Sequence, residues 1–301
     1  MRKQRIIIAA LAAALTLLVS GCGGNSGGIS ENGTSGSGSD SVPVSPGASD
    51  TGSTNGSNSD SAGESSASES DPAAPSARNN MDGLYQVKNE DGGVKIVKYL
   101  GEGGEVVIPE QIGGKTVVEI GDGAFRSCTG LTSVSIPGCV EDIGDEAFYN
   151  CSELRSVTIY DGVREIGDMA FGGTAVRGIY IPPSVDDIGG GAFNNESLES
   201  IEVDENNRDF CEVDGILYDK YMTKLYCYPC KIIAEGYTVP NSVREIEEYA
   251  FLDCTGLKTL ELPDSIAEIE YGAFDGCTEL TVNYRGSSYT GSELNRLYND
   301  D

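Results

Sequence analysis

Six phenylalanines at a near-constant interval constrain this chain more than any other feature. Phe125, Phe148, Phe171, Phe193, Phe251 and Phe274 are separated by 23, 23, 22, 58 and 23 residues. Each follows an alanine (Ala124, Ala147, Ala170, Ala192, Ala250, Ala273), and five residues before each stands an isoleucine (Ile120, Ile143, Ile166, Ile188, Ile246, Ile269). Chance does not produce that register. It marks an internal repeat, so the fold is built by stacking one small unit on copies of itself.

A second pattern runs between the phenylalanines: Leu131, Val134 and Ile136 before Pro137; Leu154, Val157 and Ile159; Val176, Ile179 and Ile181 before Pro182; Leu198, Ile201 and Val203; Leu257, Leu260 and Leu262 before Pro263. The alternation at the end of each set predicts a half-buried strand, with Val134 and Ile136 inward and Ser135 outward. Proline, lacking an N–H, ends it. In Ile-Gly-x-x-Ala-Phe the apolar residues fall at i, i+4 and i+5, which predicts a short helical turn. The fold class is then an α/β repeat solenoid, strand-rich, of about eight rungs, with strands near Val107, Ser135, Thr158, Tyr180, Glu202, Thr238, Glu261 and Asn283. A single unit of 22 or 23 residues cannot bury its apolar face, but stacked units share one continuous core.

The register Ile-Gly-x-x-Ala-Phe-x-x-Cys-x-x-Leu resembles the BspA-like leucine-rich repeats of bacterial cell surfaces and some protists, across almost all of residues 84–284. The resemblance implies a curved solenoid that is a non-catalytic binding module, used for adhesion to or recognition of an extracellular protein or glycan. A structural envelope component without a specific ligand is the alternative. Such solenoids usually bind through outward strand positions, here Arg155, Thr158, Arg177, Tyr180, Glu199, Glu202, Lys258 and Glu261.

The 58-residue gap predicts a β-hairpin insertion at 210–230, in place of one helical segment, with strands on either side of Lys220-Tyr221-Met222. Tyr218, Tyr221, Tyr226 and Tyr228 crowd into it. Tyrosine suits recognition because it offers area at low entropic cost. Tyr221 or Tyr226 is therefore expected to be exposed beside Arg177 or Tyr180. A capping hairpin is expected at 84–100, and a C-terminal cap at 285–301 with a short helix from Gly291.

All 15 tyrosines and all seven phenylalanines lie beyond Asn80, so the folded domain is 81–301. Residues 23–80 carry 28 Gly or Ser in 58 positions and no aromatic residue, a composition that cannot offset chain entropy and reads as a disordered tether. Ahead of it, Arg2, Lys3 and Arg5 precede the apolar run from Ile6 to Val19, which is too short to span a bilayer but suits a signal peptide over 1–22. Val19-Ser20-Gly21-Cys22 resembles a bacterial lipobox, which implies export and a lipid on Cys22 as the sole membrane attachment, at the outer face of the cell membrane or the cell surface.

Composition closes off several classes. A formal charge of −28 leaves no basic footprint for nucleic acid. The absence of histidine removes Ser-His-Asp and Cys-His nucleophiles and His-based metal sites, so no enzyme, cofactor or metal is expected. Cys128, Cys151, Cys254 and Cys277, three residues after their ladder phenylalanines, read as small apolar core residues. In-register side chains on stacked rungs keep their Cβ atoms farther apart than a disulfide prefers. Cys227-Tyr228-Pro229-Cys230 leaves alternatives open: unpaired structural thiols, or a disulfide that includes Cys211 as a partner. A redox role would want the motif at a helix N-terminus, and here it ends a strand. The run Asp204 to Asp209 fails calcium-loop spacing and reads as a solvated acidic loop.

Overall fold

The computed structural model describes residues 83–232 and 234–299. The expected signal peptide, Cys22 and the tether at 23–80 lie outside them. Most rungs contribute a longer strand on one side and a short strand, usually of two residues, on another. The longer strands are Gly104–Val107, Leu131–Ile136, Ser156–Ile159, Gly178–Ile181, Ser200–Val203, Gly236–Thr238, Thr259–Glu261 and Thr281–Tyr284, which makes eight rungs. They pair in parallel and in register in three groups, 104–159, 178–203 and 236–284. The ladder isoleucines end a second column of strands, Lys115–Ile120, Asp142–Ile143, Glu165–Ile166 and Asp187–Ile188, resumed by Glu245–Ile246 and Glu268–Ile269. The core lies between the two columns, where Val134, Ile136, Ile143 and Phe148 are all buried.

The expected helical turn is corrected: the Ala-Phe segment is a stack of turns, and the sole α-helix among the described residues is Gly291–Asn299. The backbone flips hand on either side of the ladder phenylalanine. Positive φ occurs two residues before it, at Gly123, Glu146, Met169, Gly191, Tyr249 and Gly272, and two residues after it, at Ser127, Asn150, Gly173, Asp253 and Gly276. This alternation turns every second N–H toward the next rung. The N–H groups of Phe125, Phe148, Phe171 and Phe251 donate to the carbonyls of Ala147, Ala170, Ala192 and Ala273 at 2.7–2.8 Å. A helix would have kept those bonds within its own rung. Here they become part of the glue between rungs.

The phenylalanine rings stack as a column: Phe125 on Phe148 at 4.9 Å between centroids, Phe148 on Phe171 at 5.1 Å, and Phe171 on Phe193 at 6.1 Å. Each ring is at most 1 % exposed, so each contributes apolar burial of about 1.5–3 kcal/mol and a further ~0.5–1.5 kcal/mol per ring pair. Tyr99 extends the column by stacking on Phe125 at 4.7 Å, and its N–H donates to Ala124 as a ladder phenylalanine would.

Residues 210–227 form three antiparallel strands, Phe210–Val213, Ile216–Asp219 and Lys224–Cys227, one more than the sequence pattern indicated. The third enters the short-strand column by pairing Lys224 with Glu245 and Leu225 with Ile246. Tyr228 then takes the ladder position: its N–H donates to Ala250 at 2.9 Å and its ring stacks on Phe251 at 5.2 Å. The aromatic column thus comes in two runs, and the buried core divides with it. One part reaches from Val94 to Leu217 and Cys227, the other from Ile216 to Leu294.

Both ends are capped. At the front, the antiparallel pair Tyr85–Glu90 and Gly93–Tyr99 covers the first rung, with Tyr85 packed on Tyr99 and Phe125. At the back, Thr290 and Glu293 form a reciprocal capping box that starts the helix. Leu294 is fully buried, and Asn295 Oδ1 accepts the Phe274 N–H, which has no further rung to meet.

Candidate functional site

Parallel registration turns each outward position of the longer strands into a column. One column runs Val107, Ser135, Thr158, then Tyr180 and Glu202, then Thr238, Glu261 and Asn283. The column two residues earlier runs Glu105, Ser133, Ser156, then Gly178 and Ser200, then Gly236, Thr259 and Thr281, so it is almost entirely small or hydroxylated. The result is a flat face with little to obstruct an approaching partner. Arg155, Thr158, Arg177, Tyr180, Glu199, Glu202, Lys258 and Glu261 all stand exposed on it or along its edge.

Arg155, Arg177 and Lys258 on this face are each paired. Arg155 meets Glu153 at 2.6 Å, Arg177 meets Glu199 at 3.4 Å, and Lys258 meets Glu279 at 2.5 Å. Exposed pairs of this kind add little stability and can exchange partners readily. Tyr180 donates its hydroxyl to Asp204 at 2.5 Å, and that bond is the main reason its phenol is pushed up to about 12. The ring is thereby fixed at its tip while 39 % of it stays exposed, and Tyr160 nearby in the chain is 55 % exposed. The 204–209 loop is more ordered than a solvated acidic run: Asn207, 1 % exposed, donates to Pro182 and Val185 and accepts from Asp209 and Phe210. Sequence reading missed that buried asparagine, because Asn in a charged loop carries no apolar signal.

Of Tyr221 and Tyr226, one of which is expected to be exposed beside Arg177 or Tyr180, only Tyr221 is fully exposed. Tyr226 is half-buried on the short-strand side, edge-on to Phe210 at 5.2 Å and beneath Lys224 at 5.0 Å. Tyr221 is 82 % exposed at the turn between the second and third inserted strands. Tyr226 is on the short-strand side because the third inserted strand joins that column. Tyr218 and Tyr228 are buried.

All eight cysteines among the described residues are free thiols. Cys151, Cys254 and Cys277 are buried, and each donates to the carbonyl of the ladder aromatic one rung back: Phe125 at 3.1 Å, Tyr228 at 3.5 Å and Phe251 at 2.9 Å. Cys211 Sγ points to Asp219 O at 3.3 Å rather than toward Cys227 or Cys230.

The short-strand face is acidic. Glu119, Asp142, Glu165 and Asp187 stack in register, with Lys95 against Glu119 at one end. Burial first, then the neighbouring carboxylates, holds Asp142 and Glu165 above the usual carboxylate range. Farther along, Glu245, Glu268 and Glu270 converge, with Lys224 paired to Glu245 at 2.7 Å and to Glu247. Glu270 is pushed up to about 7, by burial first and then by Glu268 and Glu247. Burial opposes the charge on Lys224, but its two glutamates outweigh that and raise its ammonium overall.

A second acidic stair is structural. Asp145 Oδ1 accepts the Asp168 N–H at 2.9 Å, and Asp168 Oδ1 accepts the Gly190 N–H at 2.8 Å. Gly144, Gly167 and Gly189 each sit over the aspartate of the preceding rung, so a Cβ on any of them would fall within 2.3–2.5 Å of that carboxylate. Where Glu247 and Glu270 replace glycine, the preceding rungs carry Cys227 and Glu248 in place of the aspartate.

The geometry is that of a repeat surface with separate hydroxyl-rich and acidic faces. A model of the BspA type leucine rich repeat region matches this chain in six copies over residues 111–212 and 223–291. Among solved structures, the fold is similar to the pneumococcal vaccine antigen PcpA, with a TM-score of 0.51 and 23 % identity over 66 % of this chain and 68 % of that one. A leucine rich cell surface protein of Faecalibacterium prausnitzii A2-165 is similar at 27 % identity and a TM-score of 0.40, over 67 % and 75 % of the two chains. A leucine rich repeat protein of T. pallidum is similar at 26 % identity and a TM-score of 0.40, over 65 % and 88 %. Among curated proteins, none matches the sequence. With its six repeat matches covering more than half of the sequence, the chain belongs to the BspA-type leucine-rich-repeat family.

Proposed function

We propose that this chain is a non-catalytic binding module, held at the bacterial cell surface through a lipid on Cys22 and the 23–80 tether, that recognises an extracellular protein or glycan through its longer-strand face. One observation carries the reading: the outward columns are rich in small and hydroxylated residues and present Tyr180, held by Asp204 yet exposed, beside the exposed Arg177. Tyrosine and arginine supply area and directional bonding where a partner docks. The family and the Faecalibacterium cell surface protein support the location. Read as a random coil, the Gly/Ser-rich segment of 58 residues would span about 40–46 Å.

The test is binding of the full chain to protein and glycan arrays, followed by the double change Arg177→Ala and Tyr180→Ala on any hit. Affinity is expected to fall at least tenfold with the thermal midpoint nearly unchanged. Undiminished binding, or binding that maps to the tether, rejects this face. Intact mass spectrometry of the exported protein reads the anchor separately, and an unmodified Cys22 rejects the lipid.

A further inference from the structure

The inserted rung sets one cysteine out of step with the others. Cys151, Cys254 and Cys277 lie three residues after their ladder aromatics and all point back along the stack, so neighbouring thiols run parallel and do not face one another. Cys230 lies two residues after Tyr228, and its Sγ points forward, to Leu252 O of the next rung at 3.1 Å. Cys254 Sγ points back, to Tyr228 O at 3.5 Å, and Cys230 Sγ lies 4.0 Å from that same oxygen. The two thiols therefore approach the same carbonyl from opposite directions and face each other across one rung gap. Facing sulfurs on adjacent rungs are the arrangement that in-register cysteines lack.

The other partners considered for Cys230 sit in different surroundings. Cys227 is buried in the first core, whereas Cys230 and Cys254 pack in the second, so the Cys-x-x-Cys pair straddles the division. Cys211 is directed at Asp219. We propose that Cys230 and Cys254 form a redox-responsive pair that oxidises to a disulfide, stapling the inserted rung to the rung after it, where the aromatic column begins its second run.

The reaction is thiol–disulfide exchange with a small-molecule disulfide such as oxidised glutathione. Cys230 is half-exposed and Cys254 fully buried, so Cys230 is the attacking sulfur. Its thiolate displaces one glutathione thiolate and forms a mixed disulfide. Cys254 Sγ then attacks Cys230 Sγ, and the second glutathione leaves as a thiol carrying the Cys254 proton. The protein loses two electrons and two protons, and one glutathione disulfide becomes two thiols.

The test treats the reduced full chain with oxidised glutathione, alkylates the remaining thiols under denaturing conditions and maps the peptides. A Cys230–Cys254 link is expected as the main product, with a rise of about 5 °C or more in the thermal midpoint because a 25-residue segment is closed. Cys230→Ser is expected to abolish both the link and the rise, and Cys277→Ala to keep both. As Cys230 is half-exposed, its serine variant tests the pair without opening a core cavity. A Cys227–Cys230 link, a link through Cys211, a persistent glutathione adduct on Cys230, or no loss of free thiol overturns the proposal.

Discussion

Tyr228 sits where the repeat elsewhere carries phenylalanine, and its extra atom has a cost. The side chain is 2 % exposed, and its hydroxyl has no hydrogen-bond partner among the described residues. A buried hydroxyl without a partner costs about 1–3 kcal/mol. Tyr228→Phe keeps the ring that stacks on Phe251 and removes that cost, less a small loss of packing where the oxygen was. The expected gain is about 1–2 kcal/mol, or roughly 2–8 °C in thermal midpoint for a domain of this size. Tyr218 supplies the contrast: it is equally buried, but its hydroxyl bonds that of Tyr237. Tyr218→Phe leaves the Tyr237 hydroxyl partly stranded and is expected to lose about 1 kcal/mol. Guanidinium denaturation reads both, as shifts of the midpoint in opposite directions at constant slope. A loss of stability in Tyr228→Phe, or the same sign for both variants, refutes the assignment of Tyr228 as a ladder residue with a surplus hydroxyl.

Phe148→Ala is expected to cost about 3–5 kcal/mol, because the ring lies between Phe125 and Phe171 with no exposure, whereas Ser135→Ala on the outward side should cost under about 0.5 kcal/mol; equal midpoint shifts would reverse the inward and outward assignment. Glu270 holds its proton up to about pH 7 in the folded chain and only to about 4.5 when unfolded, so stability should fall as pH rises between those values. With solvent screening of this part-exposed group, the loss is about 1–2 kcal/mol, and Glu270→Gln should make the variant the more stable protein at pH 8 but not at pH 4.5; matched pH profiles would count against the shared-charge account. Gly167→Ala should destabilise by driving a methyl against Asp145, with Oδ1 2.5 Å from the added carbon, and pairing it with Asp145→Ala should recover part of the loss; additive losses in denaturation would argue against that contact.

The stacking direction, the rung count and the inward face were legible because they rest on periodic apolar residues, and periodicity survives in a single sequence. The turn was not. Ile, Ala and Phe at i, i+4 and i+5 fit a helix, but the same spacing fits a backbone that alternates hand, and the positive-φ positions carry Ser127, Glu146, Asn150, Met169 and Tyr249 as often as glycine. Tyr99 and Tyr228 were missed as ladder residues because Lys98 and Cys227 stand where alanine would have flagged them. The outward positions on and beside the longer strands followed from strand alternation, whereas the placement of Tyr226 depended on which column the inserted strand joins, a long-range choice that no local pattern records.

The two caps bear on how such a chain can change length. Each rung offers the next an interface like the one it received, so nothing in the interior says where the stack should stop. Growth is ended by Tyr85 and Tyr99 at one end and by Leu294 and Asn295 at the other. Duplicating or deleting one 23-residue unit between them would alter the molecule's reach by one strand spacing, about 4.8 Å, without exposing a raw edge. Removing the terminal helix is another matter: it would leave a templating surface at one end, and with the front still capped two such molecules would pair through their opened ends.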